Sequence, residues 1–291
     1  PTHGHCALLN KQPTDQLHVH AAALTALRQR QLPVMHTCQA ELAHGVGQLQ
    51  TKGKMTATLI YAWYGLETLA DAHAATLRAL TDEHDSGAQM LAQGTIEMAV
   101  DVLYLLGDLE GDRIAAALRH HIDAQIARFK AWQVAQPEET VASQWADKLA
   151  SDSRKTSWYA DAAHWPGLGA RADAAGVGRW VHPVMASAAN ATQLLAAGTQ
   201  NYLLCEQGSP ALRSATHAYR SARIGSDTAY MEAVALSLFA RALHAIATIL
   251  GDKVALTIAQ SAVEQMDTLL AEHQTSVAAQ QNDDNLYIKL F

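Results

Sequence analysis

An all-α fold follows from three features of this 291-residue sequence. Proline, the strongest helix breaker because it lacks an amide hydrogen and clashes with the preceding turn, is absent between Pro33 and Pro137 and again after Pro210. Apolar residues recur at helical spacing through both stretches. Period-two alternation of β-branched residues never lasts more than a few positions, which leaves no strand. No self-similarity appears at a period of about 30 to 50 residues, so stacked repeats give way to a single multi-helix bundle domain over 1–291.

The pattern places helices at 14–30, 34–50, 54–82, 86–106, 111–135, 138–150, 180–206, 210–223, 227–250 and 252–281. Thr14, Asp15, Ser86, Asp112, Ser209 and Ser226 stand where side-chain oxygens cap the first turn, and Gly107, Gly208, Gly225 and Gly251 where a helix stops. Segments 14–135 and 184–281 form N- and C-terminal helical layers. Between them, 137–183 holds three of the seven prolines, four glycines and Trp145, Trp158, Trp165 and Trp180. That mixture reads as an irregular connection pinned to the bundle by its indoles.

Hydrophobic residues make up 49% and charged residues 17%, enough apolar surface for a large core and far from a disordered composition. A net charge of -7 gives no footprint for bulk DNA binding, which needs clustered Lys and Arg. No apolar run of about 18 residues is free of polar interruption and no export signal is visible, so no membrane partner is expected. Cys6, Cys38 and Cys205 are odd in number and lack Cys-x-x-Cys spacing, which points to a reducing, cytoplasmic setting. His3, His5, Cys6, His18 and His20 offer metal-ligand types near the terminus, but a site needs three or four ligands in fixed geometry, and neither a metal nor a cofactor is expected.

Two helices carry polar stripes within apolar surroundings. On 86–106, Ile96, Met98, Ala99, Val102, Leu103, Leu105 and Leu106 surround most of the helix, while Glu97, Asp101 and Tyr104 share a strip about 60° wide. On 227–250, Tyr230, Ser237, Arg241, His244 and Thr248 form a similar strip. Buried carboxylates need cations, donors, metal or water, so the Glu97/Asp101 strip is expected to face Arg241 and His244. The network then either fixes helix register or lines a polar pocket; the third reading is that both strips simply face solvent.

His73 joins the stripe of Leu59, Trp63, Leu66, Ala70 and Leu77, and His121 with Gln125 joins that of Ile114, Leu118 and Trp132. Each is a core histidine or, with Glu67, Glu97 and Asp101, part of a di-iron-like site. Such bundles carry Glu-x-x-His on two helices, whereas this sequence has it once, at Glu41-Leu-Ala-His44. Arg113, His120 and Arg128 share one helix face, suited either to solvent or to a phosphodiester. In 252–281, Val254, Ile258, Val263, Met266, Leu269 and Leu270 face one way, as a helix does when packed on the bundle or on a second copy in a homodimer.

The run Gln93-Gly-Thr-Ile-Glu97-Met-Ala-Val-Asp101-Val-Leu-Tyr104-Leu-Leu resembles the signature helix of an uncharacterised bacterial all-helical family, in which Arg-Ser-x-x-Glu precedes an apolar run ending in Tyr-Leu or Tyr-Ile. Trp165-Pro-Gly-Leu and the stretch Trp180 to Asn190 resemble its later element, a Trp segment followed by Ser-x-x-x-His, so the likeness covers about 80–190. The family is similar in style to HEPN proteins, whose active members are ribonucleases in toxin and phage-defence systems. Gln93 replaces the motif arginine, and Ala191, beside Asn190, stands at the histidine position after Ser187. The resemblance therefore implies an RNA-, stress- or defence-related protein, active or catalytically degenerate. Beside it stand a small-molecule or metal pocket between the central helices, and a non-catalytic oligomeric partner protein.

Overall fold

The computed structural model describes residues 11–51, 55–136, 140–155, 161–186 and 209–289. Among them are α1 (Lys11–Gln48), α2 (Ala57–Thr81), α3 (Asp85–Leu106), α4 (Asp112–Ala135), α5 (Thr140–Lys155), α6 (Leu168–Ala174), α7 (178–186), α8 (Pro210–Leu250) and α9 (Lys253–Lys289), and no strand. The expected all-α bundle is the fold.

α8 is its axis. Every residue from Met231 to Ala240 is buried, because α1, α2, α3 and α9 all pack against this helix. By length and composition α8 could cross a membrane, yet 67% of its most apolar window is buried inside the bundle. α9 lies against α8 and α1, so Val263, Met266, Leu269 and Leu270 of the expected stripe pack within the chain, while Val254 at its start is exposed. α2 and α3 pair, α4 and α5 pack on each other, and α6 rests on α3.

Two expected helix breaks are not breaks. Pro33 lies inside α1, where positions 17, 21, 24, 28, 31, 35, 38, 42, 45 and 49 alternate spacings of four and three without interruption. Leu17, Ala21, Leu24, Leu27, Met35, Cys38, Leu42 and Leu49 are buried on or beside that seam. A heptad stripe held along its whole length keeps the helix continuous, and Pro33 sits on the exposed face, where the carbonyl it frees can meet water.

Gly225 and Ser226 lie buried inside α8 instead of ending one helix and capping the next. A Cβ at Gly225 would fall 2.5 Å from Arg28 Nη1 and 3.0 Å from Asp85 Oδ2, so the glycine serves close approach to the Arg28–Asp85 ion pair. That pair closes at 2.9 Å between α1 and α3.

Other punctuation is as expected at Ser209, whose hydroxyl accepts from Leu212 N, and at Gly251, left-handed at φ 69°. Thr14 and Asp15 fall inside α1, and His84, not Ser86, is the N-cap of α3. Asp108 takes the capping role expected of Asp112, accepting from the amides of Glu110, Gly111 and Arg113. Those bonds hold its carboxyl below the usual range. Gly208, Trp158 and the segment 187–206 lie outside the described residues.

Candidate functional site

The two polar stripes do not meet. Each is covered instead by the segment 165–186, which is not simply an irregular connection: it contains α6 and α7. α6 ends at Gly176, whose φ of 73° suits a residue without a Cβ. Gly176 N donates to Asp173 O and Val177 N to Ala172 O, a reversal that carries the chain directly into α7 and Trp180.

On one side, Arg171 of α6 closes over the acidic stripe. Its Nε donates to Asp101 Oδ1 at 2.7 Å, Nη2 to Glu97 Oε1 at 3.2 Å and Nη1 to Pro166 O at 2.6 Å. The guanidinium is 5% exposed, and its Cζ lies 5.0 Å from the centroid of Trp165. Trp165 meets Tyr104 edge-on at 5.3 Å. Arg113 covers Tyr104 from 4.2 Å and donates to its carbonyl oxygen. An alternating cation and aromatic arrangement thus joins α3, α4 and α6.

Burial is the main influence on Asp101. It pushes the carboxyl up to about 6, against the lowering pull of Arg171 and with help from the nearby Glu97 charge. Desolvation outweighs the ion pair because Arg171 divides its donors among three acceptors. Glu97 itself is 58% exposed, so the stripe expected to be buried reaches solvent at its N-terminal end.

On the other side, Arg241 bonds to Asp267 of α9, with Nη2 2.9 Å from both carboxylate oxygens, and not to Glu97 or Asp101. Ser237 Oγ also donates to Asp267. Arg241 Cζ stands 4.2 Å and Arg179 Cζ 3.7 Å from the Trp180 ring centroid, so one indole holds two guanidiniums. Trp180, Arg241, His244, Gln260, Gly176 and Leu103 line a cleft of about 430 Å³. Among the described residues Arg241 Nε, sealed beneath the cleft wall, has no acceptor.

The remaining candidates fall elsewhere. His121 is exposed on α4 and pairs with Gln125 at 2.7 Å, away from both stripes' partners. Glu67 accepts from Trp63 Nε1 on the same helix. His120 is exposed, whereas Arg113 is engaged by Tyr104. His18 is exposed and His20 meets Tyr219 edge-on, while His3, His5 and Cys6, like Ser187, Asn190 and Ala191, lie outside the described residues. Among the described residues, no three His, Cys, Asp or Glu side chains gather as a metal site would require.

His73 is a core histidine with an unforeseen partner. Its Nδ1 lies 2.7 Å from Glu232 Oε1, both side chains are fully buried, and its ring stacks on Phe239 at 5.3 Å. Burial pushes the Glu232 carboxyl up while His73 pulls it down. Buried Cys38 is raised to about 12 by desolvation and by the charges of Glu41 and Glu232, which leaves an inert thiol. Glu232 and Arg171 are the two important residues that the sequence pattern did not single out.

No family model, curated protein or solved structure matches this chain.

Proposed function

We propose that this is a ligand-binding helical protein whose cleft between the Gly176 turn, α8 and α9 takes a small molecule bearing phosphate or carboxylate. Arg241 supplies the cationic wall, His244 and Gln260 supply the polar rim, and Leu103 and Val263 supply the apolar floor. The observation that carries this reading is the incomplete satisfaction of Arg241. Asp267 engages Nη2 alone while the side chain stays 24% exposed, which leaves guanidinium hydrogens on the cleft side for an incoming acceptor. The assignment is of binding and names no reaction.

Phosphate is the chemistry shared by free nucleotides and by RNA, the partner that the HEPN-like resemblance implies. Titration calorimetry with inorganic phosphate, adenosine monophosphate and a short single-stranded RNA separates them. Nucleotide binding that Arg241→Gln and His244→Ala weaken, with no gain from longer RNA, supports the small-molecule form. Binding of RNA alone moves the assignment to the HEPN-like reading. No binding by any of the three, or binding untouched by both variants, overturns the cleft.

A further inference from the structure

A separate cavity of about 340 Å³ lies between α7, α8 and α9, with Val184, Met231 and Val277 among its apolar walls and Tyr230 and His273 among its polar ones. His273 is only 4% exposed, and its hydrogen bonds define its protonation. Gln31 Nε2 points at Leu269 O, 3.4 Å away, which turns Gln31 Oε1 toward His273 Nδ1 at 3.0 Å. An amide oxygen only accepts, so Nδ1 carries the hydrogen. Desolvation, with Arg223 adding to it and Glu272 opposing, pushes the imidazole down to about 4, so the ring is neutral at physiological pH. His273 Nε2 is then a bare lone pair. Among the described residues no side chain or backbone group donates to it, and His273 is part of the cavity wall.

Tyr230 supplies the complement. Its ring centroid is 5.0 Å from that of His273, and its hydroxyl oxygen accepts from Gln274 Nε2 at 3.0 Å, which leaves the phenolic hydrogen to give. An acceptor and a donor thus line the same cavity, among apolar walls. Arg223 and Asp227 at the edge bond to each other.

We propose that this cavity binds a small neutral ring through a cis-amide edge, its N–H donating to His273 Nε2 and its adjacent C=O accepting from Tyr230 O–H. Pyrimidine bases, lactams and cyclic imides carry that edge. The site is independent of the anion cleft proposed above, and shares none of its lining residues.

The test uses the full chain and uracil as probe, with 1,3-dimethyluracil, which lacks both N–H groups, and cyclohexanol, whose single hydroxyl could engage either partner. Nitrogen-15 NMR of the imidazoles reads the tautomer of His273 directly and its response to each probe. The expected result is an unprotonated Nε2 in the free protein, a shift of that nitrogen on adding uracil, and binding about tenfold weaker for dimethyluracil and cyclohexanol, the usual effect of one lost hydrogen bond. Tyr230→Phe should weaken uracil by a similar factor. Gln31→Glu places a carboxylate beside Nδ1, so the ring becomes cationic, Nε2 becomes a donor and uracil is rejected while the cavity keeps its shape. A protonated Nε2 in the free protein, equal binding of uracil and either control, or uracil binding indifferent to Tyr230→Phe and Gln31→Glu would overturn the proposal.

Discussion

His73 Nδ1 lies 2.7 Å from Glu232 Oε1 at the centre of the molecule, joining α2 to α8 with neither side chain exposed. Among the described residues, His73 Nε2 and Glu232 Oε2 have no protein partner, so the pair's hydrogen bonding to protein is the one contact they make with each other. Buried pairs of this kind commonly set which helices pack and in what register.

Removing one member alone should therefore be severe. His73→Ala or Glu232→Ala is expected to cost about 3 to 5 kcal/mol, because each leaves a buried polar group alone. The double variant His73→Leu/Glu232→Met should recover most of that loss. Urea unfolding measures both, and additive losses in the double variant would show that the two residues act separately.

The Arg171 clasp is expected to depend on guanidinium geometry. Arg171→Lys keeps the charge but cannot reach Asp101, Glu97 and Pro166 O together, so it should lose nearly as much stability as Arg171→Ala, about 2 to 4 kcal/mol. Glu97 and Arg241, by contrast, share no partner. Combining Glu97→Ala with Arg241→Ala should give additive losses to within about 0.5 kcal/mol in a thermal or urea series.

The difference between those two results marks how far the sequence could be read. The all-α fold, the central 227–250 helix and the need of Glu97 and Asp101 for a cation were legible, because helical periodicity and the penalty for burying charge act locally. The cation's identity was not. Arg171 sits in a seven-residue helix, too short for periodicity to register among the surrounding glycines and prolines. Its one sequence signal was Leu-Gly-Ala-Arg-Ala-Asp-Ala between two breakers, a turn or two of good helix formers. Glu232 carried a clearer signal, a lone acid in the run Met-Glu-Ala-Val-Ala-Leu, where a buried carboxylate demands a partner such as His73.

Acid and neutral pH should affect the clasp differently. Asp101 is raised from an ordinary 3.8 to about 6, so its contribution is fully present below 3.8 and lost as pH rises through 6. His273 is lowered from 6.5 to about 4, so its contribution is present above 6.5 and lost as pH falls through 4. The two oppose each other between 4 and 6. Asp101→Asn removes only the first, and its stability relative to wild type should climb between pH 4 and 8 by about 1 to 3 kcal/mol. A difference that stays flat across that range would show that burial does not control this carboxyl.

The two overridden helix breakers make opposite predictions at residues that local propensity treats alike. Pro33→Ala restores an amide hydrogen to a continuous helix at an exposed position. It should stabilise the protein by about 1 to 3 kcal/mol, the usual penalty of an interior proline less what the heptad seam already absorbs. Gly225→Ala should gain about 1 kcal/mol from helix propensity alone, yet its Cβ would press on Arg28 Nη1 at 2.5 Å. That guanidinium cannot swing aside without loss: it is 12% exposed, pairs with Asp85, and donates to Leu80 O at the end of α2. Breaking those contacts outweighs the propensity gain, so Gly225→Ala should lower the unfolding midpoint. Pairing it with Arg28→Ala, which removes the obstacle, should bring the alanine's effect back toward its favourable helical value. If Gly225→Ala is stabilising on its own, the approach of α8 to the Arg28–Asp85 pair is looser than described and the glycine serves no packing purpose.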